Sequence, residues 1–172
     1  MAENLYGASV PPTSNTDTAT TGIYWSADVD GVCIGGRYYR GTGTPAGTGT
    51  LKLWTNGGSQ LETKNFTVGA GDPNGWYEVL FDTSPSITAL TQYCIASNFV
   101  SNYYSSTIPW PGQTVSGNLQ DHSAKHNTTL GAFPATDVGN KYWTDVLFVA
   151  MTPSAGSWVQ VTKQAMYRSQ LW

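Results

Sequence analysis

The chain has 172 residues and a formal net charge of -3; 11% of its residues are charged and 13% are aromatic. Its eight Lys and Arg residues form no cluster, so the chain lacks the basic surface of a nucleic-acid-binding protein. Long stretches rich in Ala, Leu, Glu and Lys are also missing, which excludes the crossover helices of an α/β fold. Short runs of β-forming residues between turn residues predict one all-β domain.

Residues 1–19 are predicted to form a polar, extended arm whose apolar anchors are Leu5 and Tyr6. The arm has neither the basic region nor the apolar region of a signal peptide, and no later run approaches the length of a membrane span. We therefore expect no membrane insertion, and a protein that stays in the cell that makes it unless it leaves by another route.

The pattern predicts a strand at 20–26, a turn at 27–31 and a second strand at 32–40. Alternation along the second strand predicts one buried face made of Val32, Ile34, Gly36 and Tyr38. Gly35 and Gly36 are costly in the middle of a strand, so they indicate a β-bulge or the close approach of another backbone or an aromatic ring.

The run at 41–50, GTGTPAGTGT, predicts a loop because Gly and Pro at this density disfavour both strand and helix. It is not a phosphate-binding loop, since it lacks the Gly-Lys-Ser/Thr ending and a following helix. Asn-Gly-Gly-Ser at 56–59 predicts a tight hairpin between strands at 51–54 and 60–68.

Further strands are predicted at 76–81 and 92–100, and a core strand is predicted at 142–151. Between residues 101 and 140 the periodicity is lost. A structureless segment of this length is unusual in a compact domain, so we expect short strands at 103–105 and 113–115 and an elaborated loop between them.

The β-domain is thus predicted to span 20–151 and to be followed by a C-terminal tail at 152–172. Large apolar residues near a chain end promote association, so the tail is expected either to fold back onto its own domain or to be covered by a partner. Its candidate docking residues are Trp158, Met166, Tyr167, Leu171 and Trp172.

Cys33 and Cys94 both lie in predicted strands. Two buried free thiols are the favoured interpretation for a chain without an export signal, and a cross-strand disulfide is the alternative. Neither thiol is expected to be exposed.

No residue is predicted to be catalytic. The sequence has no Gly-x-Ser-x-Gly motif and only two His residues, and it offers no exposed Cys as a nucleophile. Four carboxylates could in principle supply a pair for glycoside hydrolysis: Glu62, Glu78, Asp82 and Asp145. Each lies on or beside a predicted strand, where an outward, solvated position accounts for a carboxylate.

His122 and His126 have the spacing of two zinc ligands on one helical face, but DHSAKHNTT offers no adjacent Glu, no third ligand and no apolar helix. Asp17, Asp28 and Asp30 could bind calcium, but they lack the pattern of a calcium loop, and turn formation explains them. We therefore predict no metal and no cofactor.

Tyr103, Tyr104 and Trp110 fall in a loop-rich region where strand packing does not require aromatic side chains. The apolar faces of sugar rings stack on such side chains, and His122 is close enough in sequence to bond sugar hydroxyls. These four residues are the candidate glycan-binding residues. The alternative, which we favour slightly, is that the rings close the end of a sandwich core.

Several short motifs, taken in order, resemble an uncharacterised family of β-domains found in bacterial secreted and carbohydrate-active proteins and in minor tail proteins of actinobacterial phages. The matching segments are 5–7 (LYG), 21–25, 26–31 (SADVDG), 34–41, 49–55 (GTLKLWT), 75–81 (GWYEVLF), 85–89, Tyr93 and 142–148 (YWTDVLF). The resemblance covers roughly residues 5–151 and rests on the ordered spacing of the motifs.

The resemblance implies an antiparallel β-sandwich of the jelly-roll or immunoglobulin-like type, with a role in surface or sugar recognition and no catalytic residues. Cys33 stands where family members usually have a β-branched residue or threonine. The segment 106–135 and the tail after Thr152 have no counterpart in the family, so the particular function of this chain is expected to lie there.

A domain of an extracellular type that has its own start Met and no export signal fits a phage, which assembles virions in the host cytoplasm and leaves by lysis. We therefore expect a non-enzymatic virion protein, tail-associated or decorating the capsid. It would contact other virion proteins, form a homo-oligomer and recognise a cell-surface glycan. A free carbohydrate-binding module is the alternative, and a glycan hydrolase is a weaker third interpretation.

Overall fold

The computed structural model describes residues 1–11, 15–105, 113–139 and 141–151, and for residues 15–17 and 100–105 it describes the backbone alone. These residues form twelve β-strands. The strands are β1 (Asn15–Ala27), β2 (Gly31–Arg40), β3 (Gly47–Thr55), β4 (Gln60–Val68), β5 (Gly75–Leu80), β6 (Ser86–Ile87), β7 (Tyr93–Ser105), β8 (Val115–Ser116), β9 (Leu119–Asn127), β10 (Thr136–Val138), β11 (Lys141–Tyr142) and β12 (Thr144–Ala150). Within the described ranges no helix is long and apolar enough to cross a lipid bilayer.

The strands pair in two antiparallel sheets. The large, eight-stranded sheet has the order β10-β9-β1-β7-β3-β4, with β11 pairing with β7 and β8 with β9. The small, four-stranded sheet has the order β12-β2-β5, with β6 pairing with β2. One buried apolar cluster joins the sheets, and it includes Ile23, Trp25, Leu51, Leu53 and Ile95 from the large sheet and Val79, Val146 and Phe148 from the small sheet. The predicted antiparallel β-sandwich is therefore confirmed.

Strand β2 contains a β-bulge at Ile34. On β12, the consecutive residues Leu147 and Phe148 pair with Gly35 and Cys33, so Ile34 is an extra residue between the two pairs. A Cβ atom on Gly35 would collide with the backbone of β5. The bulge that the mid-strand glycines predicted is confirmed.

The buried face predicted for this strand is wrong in its first half. Cys33 is 0% exposed, whereas Val32 and Ile34 are half-buried. The bulge explains the difference, because one extra residue reverses which side chains point into the core. Beyond the bulge the prediction is correct, and Tyr38 is buried against Phe66 and Phe99 of the large sheet.

Residues 3–9, here called the strap, cross the small sheet from β12 to β5. At one end Glu3 forms an antiparallel bridge with Phe148 of β12. At the other end the indole N–H of Trp76, on β5, donates to the Ser9 carbonyl oxygen at 2.8 Å. The strap therefore contacts both edge strands of the small sheet.

The centre of the strap is held by a buried ion pair. The backbone N–H groups of Leu5 and Tyr6 donate to the Asp145 carboxylate at 3.0 and 3.1 Å. The Arg37 guanidinium pairs with the same carboxylate and donates to the Gly7 carbonyl oxygen at 2.8 Å. Leu5 and Tyr6, the predicted anchors of the arm, are each 4% exposed and belong to the main core cluster.

Two strand boundaries differ from their predictions. Strand β1 begins at Asn15, so it includes the end of the predicted arm at 1–19. Strand β3 begins at Gly47, so the predicted loop at 41–50 is wrong for its last residues. A Cβ atom on Gly49 would crowd Phe66 and Phe99, so this glycine allows close packing between strands and is not part of a loop.

Strand β9 lies within 101–140, where the sequence predicted mostly loop. Its alternation is hidden because two of its buried positions hold charged side chains: Asp121 is 0% exposed and Lys125 is 5% exposed. The two short strands expected in this region correspond to the end of β7, which continues to Ser105, and to β8.

Both cysteines are free and buried, as the favoured interpretation predicted. Burial raises the pKa of the Cys33 thiol to about 12 and also raises the pKa of Cys94. Both groups are therefore uncharged thiols at neutral pH.

We predict that Asp145→Ala lowers the free energy of unfolding by about 3–5 kcal/mol, because it leaves the buried Arg37 guanidinium without a counter-charge. The matched control is Asp82→Ala, which removes an exposed carboxylate paired with Lys64 and should cost less than about 1 kcal/mol. Urea unfolding followed by circular dichroism measures both values. Equal losses in the two variants would contradict a structural role for the buried pair.

Candidate functional site

His122 lies in a β-bulge of β9. The pairing of β9 with β1 shifts by one residue between Tyr24 and Trp25, and His122 is the extra residue. Its Nε2 atom lies 2.8 Å from the Ser26 hydroxyl oxygen, and its Nδ1 atom lies 3.1 Å from the Gln113 amide nitrogen. His122 therefore connects β1 to Gln113, the first described residue after 106–112.

These contacts define the protonation of His122. An amide nitrogen can only donate, so Nδ1 accepts from Gln113, and Nε2 carries the ring proton and donates to Ser26. In this tautomer His122 cannot accept a proton from the Ser26 hydroxyl. Ser26 itself is only 5% exposed. Burial lowers the pKa of His122, and the nearby Asp121 carboxylate only partly opposes this effect. The pair is thus a hydrogen-bonded contact and not an activated nucleophile.

The structure places the backbone of Tyr103 and Tyr104 in β7 and not in a loop. Tyr103 pairs with Thr16 of β1, and Tyr104 pairs with Asn15 of β1 and Tyr142 of β11. Their side chains lie outside the described part of the structure, and Trp110 lies wholly outside it.

Lys141 connects the two ends of the segment 106–112. Its backbone pairs with Ser105, the last described residue before the segment. Its Nζ atom donates to the Thr114 hydroxyl at 3.3 Å, next to the Gln113 residue that contacts His122. Tyr104 and His122 therefore flank opposite ends of the segment that contains Trp110. Burial lowers the pKa of Lys141, although Asp121 and Asp145 act in the opposite direction.

An aromatic cluster that the sequence did not predict lies beside the strap. Its rings are those of Tyr6, Tyr39, Trp76 and Trp143, with centroid separations of 5.3 to 6.4 Å. The Arg37 guanidinium carbon lies 4.5 Å from the centroid of Trp76, and the Lys141 Nζ atom lies 4.0 Å from that of Tyr6. The four rings come from separate segments, so no spacing in the sequence identifies them as a group.

Two carboxylates that meet at Tyr6 are closed to solvent. The Tyr6 backbone N–H donates to Asp145, and its hydroxyl donates to Asp121 at 3.2 Å. Both aspartates are 0% exposed, so neither can reach a sugar. Burial raises the pKa of Asp121 and that of the Tyr6 hydroxyl. The hydrogen bonds of Tyr6 with Asp121 and Asp145 therefore hold the strap in place.

The other candidate carboxylates lie on the sandwich surface. Asp82 lines a groove with Thr63, Lys64 and Asn65, and the neighbouring Thr83 donates a hydrogen bond to Glu62. This bond lowers the pKa of Glu62, which is the opposite of what a general acid in glycoside hydrolysis requires. Glu78 is exposed on β5.

Within the described residues, no three His, Cys, Asp or Glu side chains converge as a metal site would require. His122 and His126 lie on a strand, so they do not share a helical face. Asp30 accepts a hydrogen bond from the Ala89 backbone N–H at 2.8 Å, as a turn residue does. The predicted docking residues of the tail, Trp158, Met166, Tyr167, Leu171 and Trp172, lie outside the described part of the chain.

Residues 7–144 match the model of a family described as a domain of unknown function, DUF4082. No curated protein matches the chain. The match begins within the strap and ends at the first residue of β12, so it contains almost the whole sandwich.

We predict that His122 makes stability fall on acidification. Its pKa is lower in the folded chain, so as the pH drops through the unfolded value of about 6.5 the unfolded state binds a proton first, which lowers the free energy of the unfolded state relative to the folded one. Asp121, whose pKa is raised, changes stability in the opposite direction on acidification. Thermal unfolding between pH 7.5 and 5.5 should therefore show a smaller drop in Tm for His122→Gln than for the unmodified chain. Equal slopes would mean that His122 is not the origin of the effect.

Proposed function

The chain belongs to the DUF4082 family, and from this starting point we propose that it is a non-enzymatic structural protein of a phage virion. It would be mounted on the tail or the capsid and would display its sandwich to the host surface. We further propose that it recognises a cell-surface glycan and acts as a homo-oligomer in contact with other virion proteins. The family match supports a shared domain, and the remaining support comes from the geometry of the sandwich.

One observation carries the proposal: Ser105 and Met151, the last described residues before the two segments assigned to function, lie at different places on the sandwich. The segment 106–112 follows Ser105, which pairs with Lys141 just before β12. The tail follows Met151, just after β12. That strand has seven residues, which corresponds to about 20 Å. A domain with this layout can be attached through its tail while its loop stays accessible.

The surroundings of 106–112 support glycan recognition. Gln113 is exposed and is held by its contact with the half-buried His122, so a neutral hydrogen-bonding side chain lies where the described chain resumes after this segment. Tyr104 lies at the other end of the segment, and Trp110 lies within it. Aromatic rings beside neutral polar groups are the combination that sugar recognition uses.

The non-enzymatic part of the proposal is supported by how the chain uses its reactive groups. Asp121 and Asp145 are buried and bonded to the strap, and the Ser26 hydroxyl is buried and accepts a hydrogen bond from His122. Cys33 and Cys94 are buried thiols with raised pKa values. These groups already have structural partners or are shielded from substrate.

We predict that Trp110→Ala and Tyr104→Ala abolish binding to an array of bacterial surface glycans and leave Tm unchanged. The matched control is Tyr77→Ala, which removes a half-buried tyrosine from β5 in the small sheet and should leave glycan binding intact. A large drop in Tm for the first two variants would instead mean that these rings belong to the core. Absence of binding by the unmodified chain would refute glycan recognition.

For attachment, we predict that the full-length double variant Leu171→Asp and Trp172→Asp is no longer incorporated into particles. Two charges in place of large apolar side chains disfavour burial in a protein interface. Mass spectrometry of purified virions measures incorporation, and glycan binding serves as the control for folding. Unchanged incorporation would refute docking through these residues. If the unmodified chain binds glycans but is absent from particles, it acts as a free carbohydrate-binding module.

A further inference from the structure

Leu90 is an exposed leucine in a backbone conformation that leucine disfavours. Its φ angle is +59°, and among the described residues it is the only non-glycine residue with a positive φ. Leu90 is also 78% exposed, the largest exposure among the described large apolar residues that follow β1. A glycine at this position would avoid both the steric cost of the left-handed conformation and the hydration of an apolar side chain.

The turn that carries Leu90 is fixed by hydrogen bonds. The Leu90 backbone N–H donates to the Ala27 carbonyl oxygen at 2.7 Å. The Thr88 N–H donates to the Tyr93 hydroxyl at 3.0 Å, and the Ala89 N–H donates to the Asp30 carboxylate at 2.8 Å. The leucine is therefore held in a defined outward position, and unusual backbone of this kind is often found at functional surfaces.

A second exposed apolar residue lies at the same end of the sandwich. Met151 is 50% exposed, and its backbone N–H donates to the Asp30 carbonyl oxygen at 2.9 Å. Asp30 thus connects the Met151 backbone to the turn that presents Leu90. Asp28 and Asp30 are themselves exposed, so carboxylates border the apolar pair. We call Asp28, Asp30, Leu90 and Met151 the Leu90 end.

We propose that residues 152–165 of the same chain dock on the Leu90 end. This segment directly follows Met151, so it begins beside the surface that it would cover. It contains the large apolar side chains of Trp158, Val159 and Val161 and the cation Lys163, but no Asp or Glu. An apolar, positively charged segment is the chemical complement of an apolar pair bordered by two carboxylates.

Docking within one chain is favoured over docking between copies because the segment is tethered at the site. Trp158 is the first large aromatic residue of the segment, and the seven residues from Met151 to Trp158 can span at most about 25 Å. A tether this short gives an effective concentration in the millimolar range. Trp158 is therefore assigned to the Leu90 end, which leaves 166–172 for the attachment described above. The inference does not rest on the proposed function, since a free module would dock its segment in the same way.

Limited trypsin cleavage after Lys163 tests the proposal on the full-length chain. In the unmodified protein, cleavage at this site should be slow compared with a synthetic peptide of residues 152–172. Leu90→Asp should accelerate it by at least about tenfold, the factor expected from the loss of one buried leucine side chain. Leu90→Gly should accelerate it similarly and should leave Tm unchanged or raised, because glycine relieves the backbone conformation.

The matched control is Leu130→Asp, which changes an exposed leucine elsewhere on the sandwich and should leave the cleavage rate unchanged. Cleavage of the unmodified chain as fast as that of the peptide would overturn the proposal, as would unchanged protection in Leu90→Gly. Leu90→Gly decides the matter if Leu90→Asp fails to fold. Protection that rises with protein concentration would show that a second copy is the occupant, and it would overturn docking within one chain.

Discussion

Two opposite charges can be moved from water to the inside of a protein only if they pair with each other and their remaining hydrogen-bonding capacity is used. Arg37 and Asp145 come close to this condition because the strap supplies partners: two backbone N–H groups for the carboxylate, and the Gly7 carbonyl oxygen and the Asn4 side chain for the guanidinium. Only the Arg37 Nε atom of the pair is buried without a partner among the described residues. The ion pair joins β2 to β12, and the strap joins both to β5. The N-terminal segment is therefore a structural part of the sandwich, because without it a buried ion pair would lack its partners.

Two β-bulges then decide which side chains the sandwich buries and which it presents. The bulge at Ile34 turns Cys33 into the core, and the bulge at His122 brings an imidazole to Ser26 and Gln113. In both strands one extra residue reverses the alternation of faces. The chemistry available at the surface consequently depends on register as much as on residue type.

Our proposal that the protein recognises and attaches rests on the distribution of its polar groups. Carboxylates and a serine that could take part in chemistry are buried and already bonded, whereas neutral polar groups remain accessible beside 106–112. At the end where the tail begins, the chain keeps an exposed leucine in a costly conformation. Features that lower the stability of an isolated domain usually indicate a surface with another role.

Local sequence was sufficient for features that depend on near neighbours. Alternation and turn residues determined the all-β class, the hairpin at 56–59, the bulge beside Gly35 and the burial of both cysteines. Strand β9 was not predictable, because its buried Asp121 and Lys125 are tolerated through partners elsewhere in the chain, among them Tyr6 on the strap and Asp137 on β10. Likewise, the sequence predicted a solvated surface position for Asp145, whereas the strap and Arg37 enclose its carboxylate. Tertiary structure alone decided these positions, since a charged side chain can be buried only where distant parts of the chain supply its partners.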